Sequence, residues 1–195
     1  MLLLTIINAV IICPPDNTQQ PRFGTRRKGN QTASKMVMDT VNYYHDAMKL
    51  ALTEASLAFL ENEVPIGAVV VSESGEILAA SHNRTIALSD PTAHAEILAL
   101  RQAAERIQNY RLLNATLYVT IEPCMMCMGA MLHARVRRLV FGARDPKWGA
   151  AGSLYDFSTD KRLNHSIGIV SGVCEAECRE MMQCFFRSRR SGFSG

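Results

Sequence analysis

Cysteine is scarce in this chain, and the scarcity is informative. Six cysteines among 195 residues are too few to staple a small disulfide scaffold, and two of them, Cys124 and Cys127, stand in a C-x-x-C spacing that suits a metal better. A reducing compartment follows, and the cytoplasm is the expected location. Membrane-spanning runs are missing as well. Leu2 to Cys13 is apolar but too short to cross a bilayer, and it has neither the basic leader nor the small-residue cleavage site of a secretory signal. A large excess of one charge is also absent, since the net charge is only +3. Its placement says more than its sum. Arg22, Arg26, Arg27, Lys28 and Lys35 face Asp16 alone in the first 35 residues, and Arg187, Arg189 and Arg190 cluster near the other end, so the middle is net acidic. Basic ends fit a polyanionic partner, although basic tails also decorate many soluble proteins.

Composition shifts near Met36. Upstream, Pro14, Pro15 and Pro21 interrupt the chain and no apolar period is sustained, so residues 15–35 are expected to be disordered. Residues 1–35 then read as a dispensable extension, with Met36 or Met38 as alternative starts; the other reading is an organellar transit peptide. A single domain over residues 36–190 and a short tail at 191–195 complete the expected organisation.

Inside that domain, Val41, Tyr44, Met48, Ala51, Leu52, Ala55 and Phe59 recur at helical steps, predicting an amphipathic helix from Asp39 to about Glu61. Ile66–Val71 and Glu76–Ser81 read as a hairpin around Ser74-Gly75. A helix capped by Thr92 is expected to run to about Gln108, then a strand over Ala115–Thr120, and a short helix from Pro123 to about Ala134. Strands at Arg138–Phe141 and Ile167–Val170 and a helix over Glu175–Arg187 follow. Helices alternating with strands after an opening hairpin imply an α/β fold, a three-layer α/β/α sandwich around a mixed five-stranded sheet.

Zinc takes a few soft or borderline ligands, and a catalytic zinc keeps one position open for water. His94, Cys124 and Cys127 meet that need. The two cysteines are three apart at the start of a helix, so both sulfurs fall on one face, and the helix N-terminus favours their thiolates. Glu96 follows His94 by two residues, a spacing that reaches one site only where a helix is just beginning. There it can carry protons to and from the water without becoming a ligand.

His94-Ala95-Glu96 and Pro123-Cys124-Met125-Met126-Cys127 match the H-x-E…P-C-x-x-C signature of the zinc deaminases. With Asp90–Leu100 (DPTAHAEILAL), Asn109–Leu112 (NYRL), Thr116–Cys127 (TLYVTIEPCMMC) and Phe141–Asp145 (FGARD), the chain resembles the bacterial tRNA-specific adenosine deaminases over about residues 40–190. That resemblance implies the cytidine deaminase-like fold. It implies one Zn2+ per subunit on His94, Cys124 and Cys127, with Glu96 as proton carrier and Asn83 and Ala95 in the substrate pocket. It also implies a homodimer that converts adenosine to inosine in the tRNA anticodon loop, at the wobble position, through zinc-bound hydroxide. Met128 and Trp148 stand where smaller residues are expected in the family.

Other readings compete residue by residue. Cys174 and Cys178 could complete a closed four-cysteine zinc site, which would leave His94-Ala95-Glu96 unexplained. Glu96 could be a first-turn acid and Asn83 a loop cap. Of Phe185 and Phe186, one is expected to pack and the other to stack near an extruded base, with Arg187, Arg189, Arg190, Lys147 and Arg144 as phosphate contacts. Cys13, Cys174, Cys178, Cys184, His45 and His133 are assigned to structure, and His165 is left open. A deaminase of free guanine or cytosine is the second functional class, and a catalytically silent zinc module in an RNA-binding assembly the third.

Overall fold

Branched and aliphatic side chains alternate along the central strands, and the two sets they form face two different cores. Ala68 and Val70, Leu117 and Val119, and Leu139 and Phe141 pack into one; Val69, Val71, Tyr118 and Val140 pack into the other, where Ile121 and Ala143 join them at the ends of their strands. Period-two alternation with both faces apolar marks a sheet buried on both sides. The computed structural model describes residues 31–191, with side chains from 44 to 190. Its backbone divides into two units, residues 1–41 and 42–195. Of the first, the described residues 31–41 are helical.

The elements in chain order are α1 (Gln31–Leu60), β1 (Gly67–Val71), β2 (Ile77–His82), α2 (Ala95–Ile107), β3 (Thr116–Ile121), α3 (Met125–Ala134), β4 (Arg138–Ala143), β5 (Gly168–Ser171) and α4 (Glu175–Ser191). The sheet order is β2-β1-β3-β4-β5. β1 runs antiparallel to both β2 and β3, while β3, β4 and β5 are parallel. Residues of α2 and α3 build the first core and residues of α1 and α4 the second, which gives the expected three-layer α/β/α sandwich. Close helix-to-sheet approach is written into glycine: a Cβ on Gly142 of β4 would lie 2.4 Å from Cys178 Sγ on α4 and 2.6 Å from the Thr120 carbonyl.

Several boundaries differ from expectation. Helix α1 starts at Gln31, not Asp39, so residues 31–35, expected to be disordered, are helical. The apolar run Leu2–Cys13, the basic cluster around Arg26, and residues 192–195 lie outside the described residues. Thr92 does not cap α2. Its N–H and hydroxyl both donate to Asp90 Oδ1, at 2.8 and 2.7 Å, closing a turn ahead of the helix, and the cap position falls on His94. Likewise Pro123 precedes α3, whose cap position is Cys124. In both cases the cap side chain makes no capping hydrogen bond, because it is turned to other chemistry. Among the described residues, no helix is long and apolar enough to cross a membrane.

Candidate metal and active centre

Two helix starts meet at one point. The parallel pairing of β3 with β4 and the crossover through α3 bring the cap residue of α3 beside the cap residue of α2. Cys124 Sγ lies 3.8 Å from His94 Nδ1, Cys127 Sγ lies 3.6 Å from it, and the sulfurs are 3.7 Å apart. A tetrahedral zinc, with Zn–S about 2.3 Å and Zn–N about 2.1 Å, has S···S and S···N edges of roughly 3.6–3.8 Å. The three donors therefore fit such an ion. Among the described residues they are the one cluster of metal-binding type.

The charges agree with that fit. The sulfur–sulfur hydrogen bond with Cys127 holds Cys124 down to about 4, against its partial burial; the neighbouring His94 adds to the effect. Cys127 is pushed far up by the same shared proton and by burial. His94 is raised, first by its hydrogen bond with Cys124. Glu96, the second residue of α2, is 3% exposed, and its Oε2 has no hydrogen-bond partner. Burial pushes its carboxyl above the usual range, against smaller opposing pulls that include a hydrogen bond from Cys127. A buried carboxylate with an unmet acceptor beside a metal-ligand cluster is suited to taking and returning protons.

The sequence-predicted residues separate into two places. His94, Glu96, Cys124 and Cys127 come together. Asn83 is 4% exposed, and its Oδ1 accepts the Ala95 N–H at 2.8 Å, so it holds the first helical residue of α2 in place of a cap. Phe186 and Arg187 lie elsewhere, on α4, in an open cleft of about 480 Å³ with Lys147, Met182, Gln183 and Arg190. Phe185 is the packing member of its pair, edge-on to Phe59 at 5.6 Å, while Phe186 is 47% exposed. His165 is structural, bonded to the Val136 carbonyl at 2.8 Å. Cys174 and Cys178 belong to the opposite core, away from the metal cluster, so they cannot close a four-cysteine site with Cys124 and Cys127.

Two buried acids were missed by sequence reasoning. Glu63 accepts the N–H groups of Ile86 and Ala87, both at 2.8 Å, and the Thr85 hydroxyl. Glu122 accepts the N–H groups of Asp145, Ala151 and Ser153 at 3.2, 3.1 and 3.0 Å, and also the Ser153 hydroxyl. Each ties down a loop next to the centre. The available signal was an acid at the buried end of β3, directly before Pro123, where an unpaired charge would be very costly.

The sheet order and the His/Cys/Cys cluster with its buried glutamate define a class, the deaminases of cytidine deaminase-like fold. The family model described as MafB19-like deaminase matches residues 42–190. Over 143 residues, 73% of this chain, it is 52% identical to the tRNA-specific adenosine deaminase of Haemophilus influenzae and covers 83% of that protein. The same span is 48% identical to the Bacillus subtilis enzyme of that name, covering 88% of it. A solved structure from studies of A-to-I editing by tRNA:A34 deaminases superposes with a TM-score of 0.67 at 48% identity, covering 70% of this chain and 98% of that one. A guanine deaminase from Nitrosomonas europaea shares the fold, with a TM-score of 0.63, 24% identity, and 71% and 82% coverage. The chain belongs to the tRNA-specific adenosine deaminase family.

Proposed function

We propose that this protein hydrolyses the exocyclic amine of adenosine in tRNA, at the wobble position of the anticodon loop, releasing ammonia and leaving inosine. The observation that carries the chemistry is the tetrahedral spacing of His94, Cys124 and Cys127 beside the buried Glu96 carboxylate, whose Oε2 has no hydrogen-bond partner. A zinc ion, one per subunit, held by those three residues would supply the Lewis acidity that makes a water nucleophilic near neutral pH. Glu96 is placed to pass one proton of the attacking water to the ring nitrogen next to the reacting carbon, and then the proton of the new hydroxyl to the departing amine, which leaves as ammonia. Asn83 and Ala95 fix the start of α2, and with it the positions of His94 and Glu96, and they line the base pocket.

The relatives that carry this name support tRNA over a free base. The basic cleft with the exposed Phe186 supports it too, because an unpaired base is read by stacking and its backbone by cations. An unstacked loop base is also cheaper to extrude than a paired one. The working form is a cytoplasmic homodimer. The test offers the zinc-loaded protein tRNA, guanine and cytidine in parallel. Inosine in tRNA with no ammonia from the free compounds supports the reading; ammonia from guanine or cytidine with unmodified tRNA overturns it.

A further inference from the structure

Trp148 is the only tryptophan of the chain, and it is 63% exposed. A large aromatic ring left in water is ordinary on a loose loop, but this loop is pinned at every turn. Asp145 Oδ1 accepts the N–H groups of Lys147 and Trp148 at 2.9 and 3.2 Å, and the Asp145 carbonyl accepts the Gly149 N–H at 2.9 Å. The Ala150 N–H donates to the Pro123 carbonyl at 2.8 Å, and Gly149 forms a β-bridge with Cys124. Beneath them, the buried Glu122 carboxylate gathers the N–H groups of Asp145, Ala151 and Ser153. A side chain at Gly149 is excluded, since a Cβ there would lie 2.5 Å from Glu122 Cδ. The backbone that carries the ring is thus held in place, on the residue next to the one that bridges Cys124. Lys147, its other neighbour, lines the cleft with Phe186, Arg187 and Arg190. An exposed aromatic side chain on a held backbone, between a reactive centre and a row of cations, suits a single strand of nucleic acid, whose bases stack and whose phosphates need positive charge.

We infer that Trp148 is a stacking platform for an unpaired nucleotide flanking the reacting adenosine, a specificity-determining contact. The inference rests on the tRNA reading above. It is tested in the zinc-loaded Glu96→Gln protein, which binds without turnover, with a fluorescein-labelled anticodon stem-loop carrying adenosine at the wobble position. Because Trp148 is the sole indole, its emission reports this position alone. The expected result is quenching in step with the polarisation change of the RNA. In the same assay, Trp148→Ala weakens binding about ten-fold and Trp148→Phe restores most of it. In the otherwise unaltered protein, Trp148→Ala raises KM by a similar factor and leaves kcat unchanged. Unquenched emission on RNA that demonstrably binds overturns the inference, as does equal binding by Trp148→Ala. A sedimentation shift from dimer to monomer in Trp148→Ala overturns it too, because the ring would then be covered by a second copy. If the unaltered protein forms no inosine in this RNA, the tRNA reading fails and takes the inference with it. If it forms inosine while the ring is silent, only the inference fails.

Discussion

Among the described residues, two pairs of cysteines stand at helix starts, each with a histidine close by, and only one pair belongs to a cluster that could hold a metal. At α3, Cys124 takes the cap position and Cys127 follows by three residues, with His94 within 3.8 Å of both sulfurs. At α4, Cys174 precedes the helix and Cys178 follows by four, with His45 Nδ1 3.3 Å from Cys174. Composition at the two places is nearly the same. The outcomes differ because one added residue between the cysteines changes where the second sulfur points, and because the surroundings of the sulfurs differ. Cys124 is held down to about 4 by its neighbours, whereas burial pushes Cys178 up to about 12 and raises Cys174. In the first pair Cys124 is a thiolate that shares the single proton of Cys127 and stands with His94 at the spacing a tetrahedral ion needs; the other pair stays as thiols packed against the sheet. Residue type names candidates, and spacing plus solvation chooses among them.

The contrast sets the scale of the expected mutational effects. Glu96→Gln removes the proton carrier without touching a ligand, so metal content by atomic emission should stay at one zinc per chain while kcat falls about 10³-fold. Retention of more than a tenth of the activity would show that Glu96 merely caps charge at the helix start. Next come the two cysteine pairs. Cys127→Ser should lose most bound zinc and most activity. The double variant Cys174→Ser, Cys178→Ser should keep both, and zinc loss there would mean the two places are chemically linked.

On the packing side, Gly142→Ala forces a methyl against Cys178 and the Thr120 carbonyl. It should cost about 2 kcal/mol in urea unfolding, more than Cys178→Ser costs, while zinc stoichiometry is unchanged. The smallest effect involves a histidine that faces acids in place of sulfur. His82 Nδ1 is 2.7 Å from Glu54 Oε2, and this hydrogen bond, with a further contribution from Glu61, raises its pKa against partial burial. A raised folded pKa means the contribution to stability is complete below the unfolded value near 6.5 and is lost as pH climbs through the folded value. Thermal unfolding should therefore show stability falling over that window by about 1 kcal/mol, and His82→Gln should flatten the dependence.

Much of this was legible in the chain before folding. The alternating strands and the helical period of α1 place the sandwich layers, since both periodicities are properties of consecutive residues. The gathering of His94, Cys124 and Cys127 with Glu96 nearby was legible because those residue types are unusual at that spacing. What was hidden depends on contacts across the sheet or between loops. Thr92 reads as a cap by type, yet Asp90 captures both of its donors, and the first turn of α2 is held from a distance by Asn83. Glu63 and Glu122 look like ordinary acids until the loops they gather are seen to surround them. Phe185 and Phe186 are adjacent and identical in type, and only the position of Phe59 decides which one packs.

The most direct test is X-ray absorption at the zinc edge of the metal-loaded protein. The account predicts two sulfurs near 2.3 Å, one imidazole nitrogen near 2.1 Å and one further light donor that azide or a transition-state analogue replaces. Three or four sulfur neighbours, or a first shell that no added ligand alters, would contradict an open three-residue centre at His94, Cys124 and Cys127.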